Sequence, residues 1–104
     1  MSLRIPGLFS TERRPDNGVD ILDHEILAEK ASALGDAGRK VEACMARLNA
    51  HEGDEAQRAA LLKAAAEAVY AYFVQRELCG LRRHEDVIRE YSIPRSVLVR
   101  LGAK

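Results

Sequence analysis

The sequence has 104 residues, with 16 basic and 16 acidic side chains, 47% hydrophobic and 5% aromatic content, and no tryptophan. That length supports one domain with one modest core, since domains of about 100–150 residues are the commonest size. A formal net charge of zero removes the composition argument for a nucleic-acid binder, and two cysteines are too few to staple a small secreted domain.

Residues 1–18 hold two of the three prolines, two glycines and no apolar period, so they read as an irregular N-terminal arm. Pro6 and Gly7 interrupt the apolar run from Met1 to Phe9, which removes a signal-peptide core. Arg13-Arg14 is followed by Pro15, Asp16, Asn17 and Gly18 instead of a hydrophobic stretch, so it is not an export signal either. The most apolar region, Ala64 to Val74, contains Glu67 and is shorter than the roughly 18 residues a membrane span needs. The expectation is a cytoplasmic protein with a single helical domain over residues 19–104.

From Asp20 to Ala50 a helical period runs through Leu27, Ala31, Leu34, Gly38, Val41, Met45 and Leu48, spaced alternately four and three apart. Asn49, His51 and Gly53 end the pattern. Asp54 with Gln57 forms an N-cap pair for a second helix that runs to about Cys79, with Leu62, Ala65, Val69, Tyr72 or Phe73, and Cys79 recurring three and four apart. Gly80 is placed for a left-handed C-terminal cap, with Leu81 folding back on the helix end. A short third helix covers His84 to Tyr91. Pro94 opens a fourth, which ends at Gly102. No segment alternates like a strand.

The charge is uneven: residues 19–52 carry four basic against seven acidic side chains, and residues 82–104 carry six against three. Any anionic partner, nucleic acid included, would be met by Arg82, Arg83, Arg89, Arg95 and Arg100. A first helix of about 30 residues is about 45 Å long, whereas a compact chain of this size is only about 33 Å across. Either the helix breaks at Gly35 and Gly38, or it stays intact and a second chain covers the overhang. Ala28, Ala31, Gly35 and Gly38 form a small-residue stripe that admits a close backbone, which favours a homo-oligomer, dimer or tetramer, with the seam from Leu27 to Leu48 at its contact.

The chemistry-bearing residues have ordinary structural roles. In an antiparallel hairpin Cys44 and Cys79 lie about 28 Å apart, far beyond disulfide reach. Cys79 at a helix C-terminus is poorly placed as a nucleophile, and Cys44 beside Met45 reads as core. Asp20, Asp23 and His24 share a helix face, but acids in a first turn are what the helix dipole favours. His51, Glu52 and Asp54, and likewise His84, Glu85 and Asp86, lack paired ligand spacing. Tyr70, Tyr72, Phe73 and Val74 form an aromatic belt with core spacing. No motif assembles acid, base and nucleophile, so neither an enzyme nor a cofactor or metal site is expected.

The stretch Asp86-Val-Ile-Arg-Glu-Tyr-Ser-Ile-Pro-Arg-Ser-Val-Leu-Val-Arg-Leu101 resembles a helix-turn-helix of the pipsqueak type. That resemblance implies that Arg95, Ser96 and Arg100 face a major groove. Two departures oppose it: the second helix has only about eight residues, and Val97, Leu98, Val99 and Leu101 make it mainly apolar. Two longer blocks, residues 25–39 and 75–94, together resemble a family of small uncharacterised bacterial proteins over residues 19–102. The family resemblance implies a whole-chain fold and transfers no functional residue. The expectation is therefore all-α, two long antiparallel helices followed by two short capping helices in an oligomeric bundle. It would act as a non-enzymatic interaction or structural module, with DNA binding through residues 84–101 as the alternative.

Overall fold

A computed structural model describes residues 18–103 of the chain. In order, the helices are α1 (Gly18–Asn49), α2 (Glu55–Leu78), α3 (Glu85–Glu90) and α4 (Arg95–Leu98), with no strand among the described residues. The arm expected over residues 1–18 lies outside the described residues, except for Gly18, which opens α1. No helix is long and apolar enough to cross a membrane among the described residues.

α1 is continuous through Gly35 and Gly38, although each glycine costs about 1 kcal/mol relative to alanine in a helix interior. Packing offsets that cost at Gly38. A Cβ there would lie 3.2 Å from the Tyr91 hydroxyl and 3.4 Å from Tyr72 Cε1, so the missing side chain is the space into which two tyrosines pack. Their rings meet edge to face at 5.9 Å, a favoured aromatic geometry. Gly35 has no such role, since its nearest neighbour is the flexible Arg39 guanidinium at 3.4 Å.

α2 starts with a complete capping box: Gln57 N–H donates to the Asp54 carboxylate at 2.9 Å, and Asp54 N–H donates to Gln57 Oε1 at 3.0 Å. It ends at a left-handed Gly80 (φ +90°), where Leu81 N–H donates to the Arg76 carbonyl at 2.9 Å and closes the last turn. The α3 end repeats the device with Ser92 (φ 51°), and Ile93 N–H donates to the Ile88 carbonyl at 2.9 Å. Ser92 pays a small steric penalty that glycine would avoid, and burial of Ile93 immediately after it holds the turn.

α1 and α2 pack antiparallel through Val41, Met45 and Leu48 against Leu62, Ala65, Ala66, Ala68, Val69 and Tyr72. Val87, Ile93 and Val97 close the lower end of that core, with α4 packed on α2. α4 is a single turn, shorter than the expected eight residues. After Val99 the chain tightens: Arg100 and Leu101 N–H groups donate to carbonyls three residues back, and Gly102 (φ +75°) turns the chain away. Val97 is fully buried on this segment, and Leu98 and Leu101 are half-buried.

The molecule is a rod, 61 Å long and 24 by 22 Å across. Its radius of gyration of 18.2 Å exceeds the roughly 13 Å of a compact 100-residue chain. The cause is a mismatch in length: α1 has 32 residues and α2 has 24, and α2 ends with the Cys79 thiol 3.9 Å from the Lys30 carbonyl oxygen. Every residue from Ile21 to Ser32 is exposed.

The two glycines give opposite expectations. Gly35→Ala raises stability by about 0.5–1 kcal/mol in urea unfolding, the ordinary helix gain, whereas Gly38→Ala loses that gain to crowding against the tyrosines. Equal gains at both positions would show that the tyrosine pair gives way freely. Burial, then the neighbouring Tyr72, with Glu90 and Glu42 adding, pushes the Tyr91 hydroxyl above its ordinary 10.0. The unfolded chain therefore releases this proton more readily, so stability present below pH 10 is lost as the pH rises beyond it. Tyr91→Phe is expected to flatten that alkaline loss in chemical unfolding measured from pH 9 to 11; an unchanged alkaline limb would remove Tyr91 as its source.

Candidate functional site

Three features outside the core have chemical or recognition potential. The first joins α2 to α3. Arg76, in the last turn of α2, donates from Nε to His84 Nδ1 at 3.1 Å and from Nη2 to the Arg83 carbonyl at 2.6 Å. A guanidinium has only donors, so His84 Nδ1 must be the acceptor, which leaves the proton on Nε2, 2.9 Å from the Glu77 carboxylate. The imidazole also stacks on Phe73, centroids 4.1 Å apart and planes within 2°. A second proton on Nδ1 would set donor against donor. The cluster is a joint that fixes where the chain leaves α2, and it has no nucleophile or open coordination position. Sequence reasoning considered His84 only beside Glu85 and Asp86, because the Gly80 turn that brings it to Arg76, eight residues earlier, is not periodic.

The second feature is an open cleft of about 800 Å³ between α2 and the turn after α4. Lys63, Glu67 and half-exposed Tyr70 stand on one side, and Arg100, Gly102 and Ala103 on the other. Arg100 already donates from Nη1 to the Ser96 carbonyl at 2.6 Å.

The basic residues anticipated for an anionic partner are spread over separate elements. Arg82 and Arg83 follow α2, Arg89 sits on α3 and pairs with Asp86 at 3.4 Å, Arg95 begins α4, and Arg100 lies beyond it. The cleft takes in Arg100 alone of the five. Neither cysteine forms a disulfide. Cys44 is buried in the core with the Arg47 guanidinium 3.4 Å from its sulfur, and Cys79 is half-buried at the end of α2. Among the described residues no group of three His, Cys, Asp or Glu side chains is arranged to hold a metal ion.

The third feature is the uncovered start of α1. Of the seven seam positions, Gly38, Val41, Met45 and Leu48 are closed inside one chain and Leu34 is half-buried, which leaves Leu27 and Ala31 open. Around Leu27 stand Ile21, Leu22 and Ile26, so four large apolar side chains within seven residues are each between 42% and 55% exposed. Scattered exposed leucines are ordinary, whereas this set is concentrated on a stretch of α1 that no other helix covers among the described residues. The heptad reading retained Leu27 and passed over the other three. The signal that would have found them is the local density of Ile and Leu ahead of the point where α2 can reach.

Residues 1–104 match the model of a family described as "Family of unknown function (DUF6665)". No curated protein and no solved structure matches the chain.

The joint makes a specific expectation. Arg76→Ala removes two hydrogen bonds from a charged donor and costs about 1–3 kcal/mol, with amide exchange accelerating first in residues 85–101 and later in the α1·α2 core. The 15N histidine spectrum is expected to show His84 protonated on Nε2 only. A proton on Nδ1 in the native protein would break this account of the joint.

Proposed function

The chain belongs to DUF6665, whose members share no known function to transfer, and we propose that this protein is a non-enzymatic, self-associating helical module. The observation that carries the reading is the exposed apolar set Ile21, Leu22, Ile26 and Leu27 on the stretch of α1 that α2 does not cover. Each of these side chains is about half covered already, so completing its burial contributes about 0.7–1.5 kcal/mol before the costs of association, which supports weak pairing with an identical neighbour. The seam from Leu27 through Ala31 runs directly into the intramolecular α1·α2 packing, so the adhesive surface continues an interface the chain already uses. A cytoplasmic home and a bacterial origin belong to the same proposal.

Duplex DNA binding through residues 84–101 has no observation in its favour. α4 is one turn with Val97 in the core, and Arg89 and Arg100 are engaged with Asp86 and the Ser96 carbonyl.

Light scattering after size exclusion tests the proposal. Mass is expected to rise with concentration up to about 1 mM, where a Kd of that size corresponds to about 4 kcal/mol of association. Leu22→Glu with Ile26→Glu is expected to hold the protein monomeric with its helical circular dichroism retained. A wild-type monomer across the whole range would end the proposal.

A further inference from the structure

The uncovered stretch of α1 has an internal order that identifies its partner. Ile21-Leu22-Asp23-His24-Glu25-Ile26-Leu27 reads the same by chemical class in both directions about His24. When a helix lies antiparallel to an identical helix with the two His24 residues level, each residue n stands level with residue 48 − n of the other copy. Leu22 then meets Ile26, and Ile21 is level with Leu27. At 100° per residue Leu22, Ile26 and Leu27 fall within an arc of about 140°, wide enough for a helix-packing face, and Ile21 lies outside it. We propose that the protein forms a two-fold homodimer by antiparallel pairing of the α1 overhangs, centred at His24, with Leu22 of each copy packed on Ile26 of the other. This inference rests on the self-association reading and adds the surface, the orientation and the register.

Two physical arguments select antiparallel over parallel pairing, which would also match like with like. The overhang from Gly18 to Glu29 contains Asp20, Asp23, Glu25 and Glu29 and no lysine or arginine. Parallel helices would align their dipoles and set all four acidic residues level with their own copies, whereas the antiparallel register leaves one kind of level acidic pair, Asp23 with Glu25 of the other copy. Antiparallel helices oppose the dipoles and bring the acidic start of each copy level with Lys30 of the other, beside which α2 ends. There the Cys79 thiol lies 3.9 Å from the Lys30 carbonyl, and Arg82 and Arg83 follow within four residues. The second argument is continuity. Along the seam α1 is packed by an antiparallel helix, α2, from Leu34 onward, and an antiparallel second copy would carry the same kind of packing back over Leu27. The overlap is only about twelve residues long, so the dimer belongs to the small, weak class of interfaces.

Cross-linking tests the register. In a Cys79→Ser background with Cys44 kept buried, Leu22→Cys and Ile26→Cys chains are oxidised separately and as an equal mixture, at concentrations where light scattering reports the wild-type dimer. The mixture is expected to give a dimer linked from position 22 to position 26, at least tenfold faster than either variant alone. In the single-variant dimers the two thiols are offset by four residues, about 6 Å along the axis in addition to the interhelix separation, outside disulfide reach. Efficient linking of each variant to itself would mean parallel pairing and overturn the proposal. A wild-type dimer with no 22-to-26 link would place the interface elsewhere, overturning the register while leaving self-association standing. A monomer in which Leu22 shows nuclear Overhauser contacts to residues 2–9 would assign the face to the chain's own N-terminal segment, and both readings would fall.

Discussion

The place where α2 stops determines most of what the molecule presents to solvent. Leu81 cannot bond the Arg76 carbonyl unless Gly80 takes the left-handed conformation, and that closure fixes the end of α2 beside Lys30. Among the described residues, Ile21 to Glu29 on α1 are exposed and no other helix covers them. Everything after Gly80 is turned back toward the core, so that Val87, Ile93 and Val97 can be buried. One glycine therefore separates the covered from the uncovered part of the first helix and starts the cap.

The Arg76 joint makes that turn rigid in direction. A turn alone leaves the following helix free to swing, because a single backbone bond sets curvature more than orientation. The guanidinium ties His84 and the Arg83 carbonyl to the last turn of α2, and Phe73 supports the imidazole face. The consequence appears some distance away at Gly38, where Tyr91, held at the end of α3, fills the space left by the absent side chain and meets Tyr72. A glycine that would weaken an isolated helix is thereby converted into a docking point for the cap, and α1 runs through it unbroken.

Much of this was legible in the sequence. Helix number, order and antiparallel pairing follow from three-and-four spacing, the Asp54/Gln57 capping box and Gly80, each of which acts over a few residues. The length of α1 compared with a compact sphere left two outcomes, a break at Gly35 and Gly38 or an overhang, and the helix runs through both glycines. What could not be read depends on side chains far apart in sequence. The seam residues Gly38, Val41, Met45 and Leu48 have the spacing of an oligomer contact, and spacing alone does not say whether the helix that covers them belongs to the same chain. Arg76 and His84 meet only after the turn is made. Pro94 and Gly102 mark the ends of an eight-residue segment, but they do not reveal that after Val99 its hydrogen bonds run three residues back, which leaves α4 a single turn.

The overhang also has a thermodynamic consequence for association. An isolated helix of about a dozen residues is marginal in water, because the entropy of ordering each residue is barely met by its own hydrogen bonds. Here the helix is propagated outward from the packed segment that begins at Leu34, so no new nucleus is required, but no other described helix packs against its far end. Four large apolar side chains there keep about half of their surface in water in the monomer. Their contribution is realised only when a surface covers them, and the same contact that buries them also restrains the fraying end. Helix order at the start of α1 and occupancy of its apolar face are therefore two readings of one equilibrium.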